Sequence, residues 1–153
     1  MSFEIGVISD THGLLRDEAV NELSGVDAII HAGDIGKIDI IDQLNLIAPV
    51  YAIRGNIDTD NWAKNYPDER MFEFAGYQFF VIHNIKTLSV DTLEGKPDVI
   101  ICGHSHKPLI DHQDGRLILN PGSAGPRRFK LPICLAKLRI DQGKLTPSII
   151  DLV

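Results

Sequence analysis

The sequence predicts an α/β (α+β) fold in which two β-sheets pack as a sandwich flanked by helices, giving four layers in the order αββα. In the N-terminal part, short apolar strands alternate with helical segments, which is typical of a parallel sheet with right-handed crossovers. From residue 69 onward, strand pairs joined by tight turns follow one another, which indicates antiparallel pairing. Parallel units followed by antiparallel strands favour two packed sheets.

The N-terminal units are defined by apolar periodicity. Three strands rich in β-branched residues are predicted over 3–8, 27–32 and 50–54. Helical spacing of apolar residues predicts two helices between them, over 15–23 and 38–48. Gly25 and Pro49 end these helices.

The second half is dominated by hairpins. The predicted strand pairs are 71–74 with 77–82, 108–112 with 116–119, and 133–140 with 145–152. A short buried strand is predicted at 99–101, and a weaker helical stretch runs from about Thr87 to Glu94.

Composition is that of an enzyme-sized globular chain. With 153 residues, 44% of them hydrophobic and 24% charged, one domain over 1–153 is expected. A net charge of −6 argues against binding to duplex nucleic acid or an anionic membrane. Because the chain has neither a membrane-length apolar run nor a signal-like start, a cytoplasmic location is expected. Cys102 and Cys134 are expected to be reduced core residues. The oligomeric state stays open, a homo-oligomer included.

Small or polar clusters follow the predicted strands, and most contain a metal ligand. In the clearest case, the apolar run 99–102 ends at Gly103 and is followed by His104 and His106. Ligand sites of α/β proteins collect at the carboxyl ends of strands, so side chains at several strand ends are expected to meet. The candidate ligands are Asp10, His12, Asp34, Asn56, His83, His104 and His106.

These seven side chains offer oxygen and imidazole nitrogen but no thiolate. That mixture suits Mn²⁺, Fe, Zn²⁺, Ni²⁺ or Co²⁺ better than Ca²⁺ or a structural Zn²⁺ site. Seven donors exceed the needs of one ion and fit two ions about 3.5–4 Å apart, as in hydrolytic two-metal sites. Asp34, the lone carboxylate on its loop, is the expected bridge. Such a pair would attract an anionic phosphate ester and provide hydroxide near neutral pH.

The ordered series Asp10-x-His12, Gly33-Asp34, Gly55-Asn56-x-Asp58, His83 and Gly103-His104-x-His106 resembles the motifs of the calcineurin-like metallophosphoesterases. The small size and the sequence Asn120-Pro121-Gly122-Ser123 resemble the compact prokaryotic phosphodiesterase branch of that family. The resemblance extends from Ile5 to about Arg127.

The resemblance implies a phosphodiesterase with a small phosphate-ester substrate and two divalent ions, Mn²⁺ being the expected one. It implies one metal held by Asp10, His12, Asp34 and His106. The other would be held by Asp34, Asn56, His83 and His104. Asp34 and Asn56 are the residues that the resemblance assigns to catalysis.

Two positions depart from the family pattern. Many members carry a histidine after the asparagine that is thought to help protonate the leaving group; this chain has Ile57. Aryl or otherwise acidic leaving groups are therefore expected to be preferred. Asn84 follows His83, where glycine is usual in this branch. Since asparagine tolerates left-handed backbone, His83 is expected to remain a ligand.

Asp58 and Arg127 are predicted substrate contacts. Asp58 has two alternative roles: a proton donor in place of the missing histidine, or a carboxylate that caps a turn. Arg127 and Arg128 also have two alternative roles: they bind a phosphate through paired hydrogen bonds, or they are solvated surface residues. His31 is expected in the core or behind the ligands. The rival function is an inactive protein-interaction scaffold on the same fold, as in retromer-subunit relatives, against which the intact ligand set argues. A lactamase-like or amidohydrolase site would place His-x-His early in the chain.

Overall fold

The computed structural model describes residues 2–88, 93 and 95–153, and this part of the chain forms ten strands and four short helices. The strands are β1 (Ser2–Ile8), β2 (Ala28–His31), β3 (Val50–Ala52), β4 (Glu69–Phe74), β5 (Tyr77–Ile82), β6 (Val99–Ile101), β7 (Leu109–Gln113), β8 (Arg116–Asn120), β9 (Cys134–Asp141) and β10 (Lys144–Asp151). The α-helices are α1 (Asp17–Leu23) and α2 (Ile38–Asn45). Two 3₁₀ helices span Asn61–Asn65 and Ile85–Thr87. The helix predicted over 87–94 lies mostly outside the described residues.

The strands form two five-stranded sheets, which confirms the predicted sandwich. The first sheet has the order β10-β9-β1-β2-β3, with β1, β2 and β3 parallel as predicted. The hairpin β9–β10 returns from the end of the chain and pairs antiparallel with β1. The second sheet has the order β4-β5-β6-β8-β7.

The second sheet differs from the sequence prediction at its centre. Its outer pairs, β4–β5 and β7–β8, are antiparallel hairpins as predicted. However, β6 pairs parallel with both β5 and β8, so the antiparallel pairing indicated after residue 69 holds for the hairpins but not for β6. Parallel pairing of β5 and β6 requires a crossover connection between them. Each sheet therefore has three parallel strands, and their carboxyl ends are available to carry ligands.

Three apolar layers hold the sandwich together. Between the sheets, side chains such as Val7 and Ile30 share one cluster with Phe79 and Leu119. The outer face of the first sheet is covered by α1 and α2. The outer face of the second sheet buries Phe80, Ile82, Ile100 and Ile118 against Ile85, Leu88 and Leu93.

Both cysteines are buried and free, as expected for core residues. None of the helices in the described ranges combines the length and the apolar character needed to cross a membrane.

Candidate metal centre

The structure brings all seven predicted ligands to one rim of the sandwich. Asp10 and His12 follow β1, Asp34 follows β2, and Asn56 follows β3 in the first sheet; His83 follows β5, and His104 and His106 follow β6 in the second. Two groups form, Asp10 with His12 and His106, and Asp34 with His83 and His104. Within each group the ligand atoms lie within 4.8 Å of one another.

Asp34 belongs to the second group and also approaches His12 of the first. Its Oδ2 atom is 3.7 Å from His12 Nε2 and 3.2 Å from His83 Nε2. Asp10 Oδ1 is 3.5 Å from His106 Nε2 and 3.8 Å from His83 Nε2. The amide oxygen of Asn56 is 3.2 Å from His104 Nδ1. Each group lies within one of the two ligand sets that the family resemblance implied, and the assignment of those sets to two ions stays a prediction.

Five of these seven residues have left-handed backbone, with φ of +56° at Asp10, +48° at His12, +54° at Asp34, +70° at His104 and +62° at His106. For residues other than glycine this region costs about 1–2 kcal/mol per residue. Such conformations persist only where the surrounding structure enforces them, and they cluster at functional sites. In this chain the left-handed conformation lets residues that follow a buried strand turn their side chains back over the end of the strand.

Several ligand side chains use one polar atom to bind the protein and direct the other to the centre. Asp10 Oδ2 accepts hydrogen bonds from Ser9 Oγ at 2.8 Å and from His104 N at 3.1 Å, which leaves Oδ1. Asp34 Oδ1 accepts one from Ile57 N at 3.1 Å, which leaves Oδ2. His83 Nδ1 is 2.7 Å from the carbonyl oxygen of Ala32, so it donates there and leaves Nε2. Such fixed orientation is typical of metal ligands.

Five polar atoms of the candidate ligands are buried without a hydrogen-bond partner in the described part of the chain. They are Asp10 Oδ1, His12 Nε2, His83 Nε2 and both ring nitrogens of His106. Burying polar atoms without a partner costs free energy. Since a carboxylate and imidazole nitrogens are ligands for divalent transition ions, these donors fit a metal centre.

Burial and mutual charge shift the titration of these groups. Burial raises the pKa of Asp10 to about 6, although His83 and Ser9 oppose the rise. Burial also acts to raise the pKa of Asp34, but the contact with His83 and the Ile57 N–H outweigh it and lower this pKa to about 2. Burial, followed by the charge of Arg128, lowers the pKa of His106 to about 4. His106 is therefore neutral near pH 7, the form that binds metals.

Asp58 is held by backbone rather than directed to the centre. Its carboxylate is 4% exposed and accepts hydrogen bonds from Ile35 N at 3.0 Å, Gly36 N at 2.9 Å and Gly55 N at 2.8 Å. Both oxygens are thus engaged in joining the loop after β2 to the loop after β3. This geometry favours the turn-capping alternative over substrate contact or proton donation.

Arg127 is exposed and donates through Nη1 to the carbonyl oxygen of Leu131 at 3.2 Å. It nevertheless lines, with Arg128 and Pro126, a cavity of about 280 Å³ whose other walls are His12 and His106. The predicted arginine pair therefore lies beside the centre. Burial lowers the pKa of both His12 and His106, and the charge of Arg128 lowers both further.

His31 is fully buried behind the ligands, as expected. Its Nδ1 accepts a hydrogen bond from Gly33 N at 3.1 Å, and its Nε2 donates to Thr11 Oγ1 at 3.0 Å. Thr11 Oγ1 in turn donates to the carbonyl oxygen of Ile35 at 2.9 Å. Burial lowers the pKa of His31 to about 3. A neutral imidazole thus ties the first ligand loop to the second.

Sequence reasoning missed two kinds of residue. Ser123 donates to the carbonyl oxygen of Asp10 at 3.1 Å and so braces a ligand loop from 113 positions away, a pairing that no local pattern reveals. Phe129 is 86% exposed near the centre. The signal for it was available, because an aromatic residue stands among three cations in Arg127-Arg128-Phe129-Lys130.

Comparison with known proteins agrees with this geometry. A family model described as the calcineurin-like phosphoesterase superfamily domain matches residues 3–143. A probable metallophosphoesterase of Methanothermobacter thermautotrophicus is 37% identical over 95% of this chain and 91% of its own length. A solved structure described as a novel archaeal phosphodiesterase is 27% identical, with a TM-score of 0.79 over 97% of this chain and 99% of its own. Vacuolar protein sorting 29 of Cryptosporidium parvum shares the fold, with a TM-score of 0.76 at 16% identity over 98% of this chain and 97% of its own.

Proposed function

Since the chain belongs to the calcineurin-like phosphoesterase superfamily, we propose that it is a phosphodiesterase whose centre holds two divalent metal ions. The observation that carries the proposal is the convergence of the two ligand groups, with Asp34 between them. The archaeal phosphodiesterase of similar structure supports the choice of a diester substrate.

The ligands for the two ions are assigned as the resemblance implied. Asp10, His12, Asp34 and His106 would hold one ion, and Asp34, Asn56, His83 and His104 the other. When bound, such ions supply activation of water near neutral pH and stabilisation of charge on the phosphoryl group. Mn²⁺ is the expected ion, with Ni²⁺, Co²⁺, Zn²⁺ and Fe as alternatives that suit the same donors.

The protein's own contribution is to keep these donors in place. Asp10 is fixed by Ser9 and the His104 backbone, Asp34 by the Ile57 backbone, and His83 by Ala32. Since these three ligands are already oriented by the protein, they need little rearrangement to bind metal.

Ile57 determines which esters suit the site. Its backbone N–H contacts Asp34, and its side chain is 42% exposed but carries no proton to donate. An alkoxide leaving group would then depart without help from this position. We expect esters of acidic alcohols to be the better substrates.

The test is a metal-dependent activity panel on the full chain. Protein stripped with a chelator is reloaded separately with Mn²⁺, Ni²⁺, Co²⁺ and Zn²⁺ and assayed on bis(p-nitrophenyl) phosphate and p-nitrophenyl phosphate. Turnover of the diester with at least one ion is expected. No turnover of either substrate with any ion would support the interaction-scaffold alternative.

Asp34→Asn tests the bridging role. We expect it to abolish diester turnover and to leave fewer than two metals per chain by elemental analysis, because the amide brings no negative charge to share between two cations. The exposed Asp60 provides the matched control, Asp60→Asn. Full metal content in Asp34→Asn would remove Asp34 from the bridging position.

A further inference from the structure

The segment 126–131, called here the basic loop, begins directly after two residues that contact the loop carrying Asp10. Just before it, Ala124 N donates to the carbonyl oxygen of Ser9 at 3.1 Å. A Cβ atom added at Gly125 would lie 2.4 Å from the carbonyl oxygen of Asp10, so only glycine permits this approach. Within the loop, Leu131 N donates to the carbonyl oxygen of Arg128 at 3.1 Å. Backbone contacts thus fix the start of the loop beside Asp10.

The basic loop and the neighbouring Lys107 concentrate positive charge beside the centre. Arg127, Arg128, Lys130 and Lys107 are exposed and make up four of the 15 basic residues of an acidic chain. In the described part of the chain none of the four forms an ion pair with a carboxylate. On the Asn56 side of the centre the charge differs, because Arg54 is engaged by Asp68 at 2.7 Å and Glu69 lies beside them.

Arg128 joins two adjacent cavities. One is the cavity of about 280 Å³ bounded by His12 and His106. The other, of about 810 Å³, is lined by Ser105, Lys107, Arg128, Phe129, Lys130 and Leu131. Arg128 therefore lies between the Phe129 cavity and the side of the centre formed by His12 and His106.

Phe129 presents its ring to solvent from a disfavoured backbone. Its φ is +55°, in the left-handed region, and the residue is 86% exposed. Folding by itself gains little from an aromatic side chain in that position, since neither backbone preference nor burial stabilises it. An exposed aromatic ring among cations is, however, a stacking platform for a nucleobase next to phosphate-binding groups.

Resting on the phosphodiesterase activity proposed above, we propose that the basic loop selects nucleotide phosphoanhydride diesters, with a second phosphate at Arg128 and the base on Phe129. Ile57 supports the anhydride over an ordinary nucleotide diester. The leaving group of an anhydride is a phosphate monoester whose second pKa is about 6, so it departs without a proton donor. A ribose alkoxide would need one.

The reaction balances as a simple hydrolysis. The oxygen of water forms a new bond to one phosphorus, and the bond between that phosphorus and the bridging oxygen breaks. The electron pair of the broken bond stays on the departing phosphate monoester. Well above pH 6 both products are dianions and two protons pass to solvent. No oxidant, reductant or second substrate takes part.

The experiment compares two substrates on the metal-loaded full chain. The first is P¹,P²-di(adenosine-5′) diphosphate, and the second is methyl p-nitrophenyl phosphate, which has an acidic leaving group but neither base nor second phosphate. The quantity measured is the ratio of kcat/KM for the first to kcat/KM for the second. We expect Arg128→Gln and Phe129→Ser each to lower this ratio about 10-fold, from a lost charge-assisted hydrogen bond and a lost stacking contact.

Matched controls lie away from the loop. Arg139→Gln removes an exposed cation on β9, and Leu46→Ser removes an apolar residue that is 88% exposed after α2; both should leave the ratio unchanged. Calorimetric titration with adenosine 5′-(α,β-methylene)diphosphate gives a readout without turnover. Its Kd should rise about 10-fold in the two loop variants and stay constant in the controls.

The outcomes separate this inference from the proposed function. If neither substrate is turned over, the phosphodiesterase proposal fails. If the aryl diester is turned over but the loop variants change neither the ratio nor the Kd, the assignment of the basic loop is overturned. Equal losses on both substrates in Arg128→Gln would place Arg128 on the scissile phosphate and would also overturn the second-phosphate assignment.

Discussion

Replacing Asp58 by asparagine should destabilise the protein, because the loops after β2 and β3 would be joined less tightly. The Asp58 Oδ2 atom accepts hydrogen bonds from Ile35 N and Gly55 N, and Oδ1 accepts one from Gly36 N. In Asp58→Asn the amide oxygen can keep the two bonds at Oδ2. The amide NH₂ group would then face the N–H of Gly36, so that two donors oppose each other.

The size of the effect follows from these three bonds. A hydrogen bond to a charged group contributes about 1.5–3 kcal/mol, and charge roughly doubles the strength of such a bond. Asp58→Asn loses the Gly36 bond and about half of the other two. Because the bonds from Gly36 and Gly55 are only partly shielded from water, the lower part of the range applies. The expected loss is about 3 kcal/mol, or about 6–12 °C in Tm for a domain of this size.

Urea denaturation measures this loss, with chelator present so that metal does not contribute. The exposed Asp60, two positions along the chain, supplies the control Asp60→Asn, for which a change within about 0.5 kcal/mol is expected. The competing role, a proton donor or substrate contact, predicts the opposite pattern. If Asp58→Asn keeps the free energy of unfolding of the wild type but loses diester turnover, the structural reasoning is refuted.

Two further predictions concern the packing around the centre. In Gly55→Ala the added Cβ would lie 2.2 Å from Asp34 Oδ1 and 2.3 Å from Asp34 N, so metal content below two per chain and at least 10-fold lower turnover are expected. The control is Gly6→Ala, whose Cβ meets the Leu23 side chain rather than a ligand. Equal metal binding by both variants would contradict the reasoning. Burial lowers the pKa of His31 to about 3, whereas in an unfolded chain it is about 6.5. Below pH 6.5 the unfolded state therefore binds a proton that the folded state does not, and the protein becomes less stable as the pH decreases. Between pH 6.5 and 5 the wild type should lose about 1.6 kcal/mol more than His31→Gln in metal-free urea titrations. Parallel pH profiles would exclude a neutral buried imidazole.

The sequence predicted those parts of the fold that depend on local pattern. The β–α units up to Ala52 and the three hairpins lie within one or a few residues of their predicted bounds, because apolar periodicity and turn residues act over a few positions. Sheet membership was not predictable in the same way. Whether β9 joins β1 or a strand of the second sheet depends on contacts more than 100 residues apart, which periodicity does not encode. The 3₁₀ helix Asn61–Asn65 was also missed, since one turn leaves almost no periodic signal.

The candidate ligands were predictable for a related reason. Each belongs to a short motif directly after a strand, and parallel strands carry such motifs to a common edge. The residues that orient those ligands were less accessible. Ser123 reaches Asp10 from the loop after β8, and Asp58 reaches Ile35 and Gly36 across two loops. Their roles come from tertiary contact, and serine and aspartate in turns have many other uses.

The contacts that orient the ligands are also the contacts that join the two sheets at this rim. His104 N, after β6 in the second sheet, donates to Asp10 after β1 in the first; His83, after β5, donates to the carbonyl oxygen of Ala32 after β2. Each of these side chains has a second polar atom. Asp10 Oδ1 and His83 Nε2 are buried and have no hydrogen-bond partner among the described residues. A cation bound by those atoms would therefore complete the joint between the sheets as well as the centre. A cation that binds only the folded state would add RT ln(1 + [L]/Kd) to its stability, so in a metal-loaded protein the same few hydrogen bonds would support both the centre and the packing of the sandwich.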